Sequence, residues 1–228
     1  MLLIILKCLK NNKRRMKISY AITVCNEIEE IKKLISFLFK HKRAEDEIVV
    51  LYDNRNGDPK VWQYLNLVAL TADNQFNGFK IEEGEFNNNF SEWKNYLNSF
   101  CTGDVIVNID ADEIPNETLI NSLPEIIKNN SNIDLFWIPR INTVSGITLE
   151  HIKRWGWSIN EKGWVNWPND YQGRIYRNTS SIKWRNKVHE VLEGHTTYSY
   201  LPAIEEYALY HSKTIERQEK QNNMYNSL

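Results

Sequence analysis

Between residues 18 and 113, apolar runs of strand length alternate with segments whose apolar positions recur at helical spacing. Ile18-Ser-Tyr-Ala-Ile-Thr-Val24 reads as a strand that stops at the polar Cys25-Asn26-Glu27. Ile28, Ile31, Leu34, Ile35, Leu38 and Phe39 then give one apolar face up to Lys40, which predicts a helix packed on a sheet. Glu47–Tyr52 is a second strand, ending at the turn-rich Asp53-Asn-Arg-Asn-Gly-Asp58. Residues 59–72 are predicted helical, Phe79–Ile81 a short strand, and Ser91–Phe100 a helix with Ser91 as its N-cap. This order predicts an α/β fold: a mostly parallel, right-handed, Rossmann-like sheet with helices on both faces.

The stretch that organises the chain is Asp104-Val-Ile-Val-Asn-Ile-Asp-Ala-Asp-Glu113. Val105, Ile106, Val107 and Ile109 have the β-branching of a buried strand, whereas Asp110, Asp112 and Glu113 cannot all be buried without a cation or a partner. They belong at the carboxyl edge of the sheet, where ligands bind in open α/β folds. Asp110 and Asp112 can converge on one divalent ion if the backbone turns between them, and hard carboxylate oxygens suit Mg²⁺ or Mn²⁺. A solvated acidic turn has the same spacing.

After Glu113 the pattern changes. Thr118–Ile127 is predicted to be a helix interrupted at Pro124, and Asp134–Ile138 a strand. Trp137, Trp155, Trp157, Trp164, Trp167 and Trp184 crowd the next stretch, a density that suits either a sugar-stacking surface, with Trp164, Trp167 and Trp184 as contacts, or a local aromatic core. Gly146–Val165 is weakly periodic and reads as a mobile flap. Arg174 and Arg177 are three apart, so an extended segment sends them to opposite faces, as it does His189 and Glu190. Tyr207–His211 reads as a last short strand before a polar, solvated helix over Thr214–Tyr225.

With 228 residues and 42% hydrophobic content the chain can bury one good core, with room for a small appended subdomain. A net charge of -1 argues against nucleic acid as a partner. Cys8, Cys25 and Cys101 form neither a disulfide framework nor a zinc site, which fits a reducing, cytoplasmic setting. The apolar Met1–Leu6 is too short to span a bilayer, so 1–16 reads as a tail or anchor-like extension with membrane contact at most peripheral, and Met16 is a candidate natural start.

Four ordered segments, Ala21-Ile-Thr-Val-Cys-Asn-Glu27, the strand ending at Asp53, Phe90-Ser-Glu-Trp-Lys-Asn95 and Asp110-Ala-Asp-Glu113, resemble the family 2 glycosyltransferases of GT-A fold, in particular small bacterial and viral members with a D-A-D-E metal motif. The resemblance covers roughly residues 17–215. It implies a nucleotide-sugar donor, with UDP favoured, a divalent metal (Mn²⁺ or Mg²⁺), and an inverting, hexosyltransferase-like transfer to a carbohydrate, lipid-linked or protein acceptor. Residues 17–115 would form the nucleotide-sugar half, 116–212 the acceptor half, and 213–228 a C-terminal helix and tail.

Carried over by position, Thr23, Asn26, Glu27 and Asp53 would hold the base and ribose. Asp110 would reach ribose and metal, Asp112 the metal, and His211 would complete the metal shell. Lys94, where relatives often have arginine, and Arg174 would meet the diphosphate. The loop after Asp53 lacks the Gly-Ser-Thr-rich form common in relatives. Asp170-Tyr-Gln-Gly-Arg174 and Val188-His-Glu190 are similar to the acceptor-side half of these enzymes, where Glu190, then Asp170, are the candidate bases and His189, next to Glu190, is a further catalytic candidate. Two other classes share some of these features: a nucleotidyltransferase, which would carry a Gly-rich basic loop absent here, and a non-catalytic sugar-binding module.

Overall fold

A computed structural model describes residues 15–72 and 78–225. The apolar Met1–Leu6 and the basic run to Arg14 lie outside the described residues, as do 226–228. The elements, in chain order, are β1 (Ile18–Val24), α1 (Ile28–His41), β2 (Glu47–Asp53), α2 (Pro59–Ala72), β3 (Phe79–Gly84), α3 (Phe90–Ser99), β4 (Val105–Asp110), β5 (Glu113–Pro115), α4 (Glu117–Asn129), β6 (Leu135–Ser145), α5 (Leu149–Trp155), β7 (Tyr171–Arg177), β8 (Lys183–Arg185), β9 (Val191–Glu193), β10 (Tyr198–Tyr200), β11 (Leu209–Thr214) and α6 (Ile215–Tyr225).

The main sheet runs β3-β2-β1-β4-β7-β6-β11-β5, with β10 also beside β6, and β8 and β9 form a separate hairpin. The β3, β2, β1 and β4 neighbours are parallel, as the strand–helix alternation requires, whereas β7 is antiparallel to both β4 and β6. Alternation along β1 divides the core. Ile18, Tyr20, Ile22 and Val24 join Ile31, Leu34 and Leu38 of α1, Val61 and Leu65 of α2, and Leu119, Leu123 and Ile127 of α4. Ala21 faces the other way, into a cluster with Val49, Leu51, Ile106, Trp93 and Leu97 of α3, and Trp184.

Several elements depart from the sequence pattern. α3 starts at Phe90, and its cap is Asn89, whose side chain accepts from the Glu92 amide; Ser91 sits inside the helix with its hydroxyl on Asn89. α4 runs through Pro124, because four buried side chains on one face hold it to the sheet. β6 continues to Ser145: its first half pairs with β7 and β10, its second with β11. The Gly146–Val165 stretch contains α5, capped by Thr148, and returns to the sheet through a bridge from Val165 to Asn142. His189 and Glu190 are not in a strand. They sit between β8 and β9, where Asn186 and His189 take positive φ of 71° and 52°, so the opposite-face argument does not apply to them.

At the end of the sheet away from the acidic edge, a polar clamp joins three strands. The fully buried Glu47 accepts from Lys17 (2.7 Å), Lys80 (3.0 Å), the Ser19 hydroxyl (2.6 Å) and the Thr102 amide (2.5 Å). Gly103 brings its backbone against β1 there, where a Cβ would lie 2.6 Å from the Ser19 hydroxyl. Burial pushes the Glu47 carboxyl up, but its bonds to Lys17, Ser19, Thr102 and Lys80 outweigh this and hold it at about 2.

Candidate functional site

The register puts the expected residues at one edge. Thr23 of β1 lies beside Asp110 of β4 on one side and Leu51 of β2 on the other, so the ends of β1, β2 and β4 emerge together. Glu27 closes the turn after β1: its Oε2 accepts from the amides of Cys25 (2.9 Å) and Asn26 (3.0 Å). Asp53, 3% exposed, has both oxygens occupied by its own neighbourhood, Oδ1 by the Arg55 and Phe86 amides and Oδ2 by the Asn56 side chain. It therefore shapes the loop after β2 and does not present a free carboxylate to a base. The nearby Cys25 thiol is pushed up to about 12 by burial and by the charges of Asp53 and Glu27, so it is no thiolate nucleophile.

Beneath this edge is a buried charge network centred on Arg174. Phe136 pairs with Ile175 and Trp137 with Gly173, so Arg174 is the extra residue of a β-bulge in β7. Bulges redirect side chains, and this one sends a guanidinium between Asp110 (2.5 Å), Glu113 (2.8 Å) and the Asn108 side-chain oxygen (3.0 Å). Burial works to raise the Asp110 carboxyl, yet Arg174 and then Lys94 hold it well below the usual range; reciprocally, Asp110 and Glu113 raise Arg174 against the opposing effect of its own burial. Being 3% exposed, Arg174 does not face a ligand directly, so its charge bears on the site through Asp110. Arg177 points elsewhere, onto the Ile127, Asn130 and Ile133 carbonyls at the end of α4.

Lys94, on α3, reaches Glu190 (2.6 Å) and Asp110 (3.3 Å) and lies over the Trp184 ring at 4.6 Å. It joins the acidic edge to the β8–β9 turn. Asp170 precedes β7, and its carboxylate takes Arg140 through two nitrogens (3.0 Å each), Asn142 (2.5 Å) and Gln172 (2.6 Å). Burial would raise it, but Arg140 and these donors keep it lowered, which makes it a weak proton acceptor.

Asp110 and Asp112 do not converge on a common partner. While Asp110 faces Arg174 and Lys94, Asp112 faces His211 (3.2 Å) and Arg217 (3.3 Å). The β5–β11 pairing explains this, since His211 lies opposite Glu113 and beside Asn142, whose Oδ1 is 2.7 Å from His211 Nδ1. That bond orients the ring with Nε2 toward Asp112. Among the described residues no three His, Cys, Asp or Glu side chains form a ready metal shell. The Asp112 carboxylate and the His211 imidazole, 3.2 Å apart, would suit a Mg²⁺ or Mn²⁺ ion that found further oxygen ligands elsewhere. Burial would raise Asp112, but the His211 bond and then the His211 and Lys213 charges lower it to about 2.

The tryptophans divide. Trp184 is 4% exposed, donates to the Tyr176 hydroxyl (3.1 Å) and lies under Lys94, so it is core and not a sugar platform. Trp164 and Trp167 stay half-buried, edge to face at 5.1 Å, on the returning arm of the α5 segment. Arg140, Asn142 and Arg217 are site residues that the sequence pattern did not single out. The first two sit on the unexpected continuation of β6, and Arg217 lies in a helix that reads as solvated surface.

Sheet, helices on both faces and clustered strand ends define a GT-A-like, Rossmann-type α/β protein. The S. aureus TarS 1-349 structure superposes with a TM-score of 0.59 at 19% identity over 86% of this chain and 60% of that one. Its complex with UDP-GlcNAc gives 0.60, 19%, 87% and 59%, and its complex with UDP gives 0.59, 17%, 92% and 64%. The chain thus spans about three fifths of the length of these structures. No curated protein matches it in sequence. The sequence model of glycosyl transferase family 2 matches residues 19–190, and the chain belongs to that family. No helix among the described residues is long and apolar enough to cross a membrane.

Proposed function

We propose that this glycosyltransferase moves a hexose-like sugar from a nucleotide-sugar donor to an acceptor hydroxyl, with inversion and with a divalent metal, as in the small bacterial and viral members of the family. The observation that carries the reading is the meeting of Asp112 with His211 at the edge where β1, β2 and β4 end. UDP is the favoured nucleotide because the superposed TarS structures carry UDP or UDP-GlcNAc. Thr23, Asn26 and Glu27 border the nucleotide. Asp112 and His211 would hold Mn²⁺ or Mg²⁺, which would supply positive charge to a departing diphosphate. Asp110, fixed by Arg174, contributes a carboxylate whose rim is about one third exposed (32%). Residues 17–115 thus take the donor and 116–212 supply the acceptor side, with Trp164 and Trp167 offering ring faces to a carbohydrate, lipid-linked or protein-borne acceptor. The work takes place in the cytoplasm, at most peripherally on a membrane.

Glu190 is the base that takes the acceptor proton. Asp170 is saturated by Arg140, Asn142 and Gln172, whereas Glu190 holds its Oε1 on Lys94. Lys94 orients that carboxylate and places positive charge between it and Asp110. Replacing Glu190 with Gln is expected to lower kcat about 100-fold or more while the donor KM changes little. Wild-type kcat in that variant would remove Glu190 from the role.

A further inference from the structure

Arg217 is the first-turn arginine of a helix whose sequence reads as solvated surface, yet it does not face solvent alone. Its Nη1 lies 2.9 Å from Glu30, and its Nη2 lies 3.1 Å from Glu27 and 3.3 Å from Asp112. One guanidinium therefore ties the C-terminal helix to the start of α1 and to the acidic turn after β4. The side chain remains about one third exposed (32%), and its partners grade from the exposed Glu30 (39%) to Glu27 (23%) and the mostly buried Asp112 (13%), so the outer pair is screened by solvent and open to exchange for a better anion. Lys213 of the preceding strand is buried and donates to the Gln221 side chain, which fastens β11 to α6 beside this arginine. α6 is in turn fastened to the α5 segment, since Glu219 takes Arg154 at 2.8 Å and stands 3.7 Å from His151.

A diphosphate placed beside Asp112 would arrive within reach of the Arg217 fork, whose planar donors match phosphate oxygens two at a time. We infer that β11 and α6 form a strap across the nucleotide side of the cleft, and that Arg217 is the strap's own diphosphate-binding group, exchanging its carboxylates for the donor's phosphates as the nucleotide seats. This rests on the proposed nucleotide-sugar chemistry and adds to it the residue and segment that close on the donor. Glu27 and Glu30 hold the strap in register until then, and Glu219 carries its movement to the α5 segment.

The test is calorimetric titration of the full chain, with Mn²⁺, using UDP, GDP and dTDP, each beside its phosphate-free nucleoside. Arg217→Ala should weaken the preferred nucleoside diphosphate about tenfold or more and leave its nucleoside unchanged, and Arg217→Lys should restore part of the loss. Hydrogen exchange gives a second readout: the diphosphate should slow exchange over residues 214–225 in the wild type and not in Arg217→Ala. Equal diphosphate affinity in wild type and Arg217→Ala overturns the inference alone, as does equal weakening of nucleoside and diphosphate. Absence of any nucleotide binding by the wild type overturns the parent reading and the inference with it.

Discussion

Arg174 shows how much of this site rests on one side chain. It is the counter-charge shared by Asp110 and Glu113, and Glu113 has no exposed surface. Arg174→Ala would leave the buried Glu113 with Arg140 alone and the partly exposed Asp110 with Lys94 alone, a change that costs about 3 kcal/mol, at the low end for a broken buried pair. Arg174→Lys keeps the charge but not the fork, and should lose less. Chemical denaturation of both variants checks the order, and an Arg174→Ala protein as stable as wild type would contradict the network described. At this scale legibility was uneven. That Asp112 and His211 come together was readable, because one stands in a short acidic motif and the other ends a strand-like run at the matching place. The self-satisfied Asp53, the saturated Asp170 and the buried Trp184 were not, because their roles depend on which neighbours the fold brings to them. Arg217 carried no local signal at all.

At the scale of elements, the parallel first half followed from its alternation of apolar runs and amphipathic helices. Three-residue strands such as β5 and β10 have too few positions for a periodic signature, and they exist through pairing with β11 and β6. The bulge at Arg174 was equally hidden, since a bulge is a relation between two strands. The α5 segment, weakly periodic in sequence, is held from outside: by the Val165–Asn142 bridge at its end and by Glu219 on α6. Glu219→Ala should accordingly raise proteolytic cleavage within residues 146–165 severalfold at unchanged global stability. Unchanged cleavage would show that α6 does not restrain this segment.

The molecule as a whole is polarised, with the candidate site at one end of the sheet and a structural clamp at the other. Because the Glu47 carboxyl is held at about 2 in the fold, against an ordinary value of 4.5, its contribution is complete above pH 4.5 and disappears as the pH falls toward 2. Glu47→Gln should cost about 3 kcal/mol at neutral pH and flatten the loss of stability between pH 5 and 2, followed by urea unfolding at each pH. An unchanged acid limb would assign that loss to other carboxylates.

The opposite end is tested by turnover. Nucleoside diphosphate release from UDP-, GDP- and dTDP-sugars, with Mn²⁺ and a panel of acceptors, compares wild type with Asp112→Ala. We expect release from one donor class by the wild type, dependent on Mn²⁺, and its loss in Asp112→Ala at an unchanged melting temperature. Release by Asp112→Ala at the wild-type rate would contradict the placement of donor and metal between Asp112 and His211.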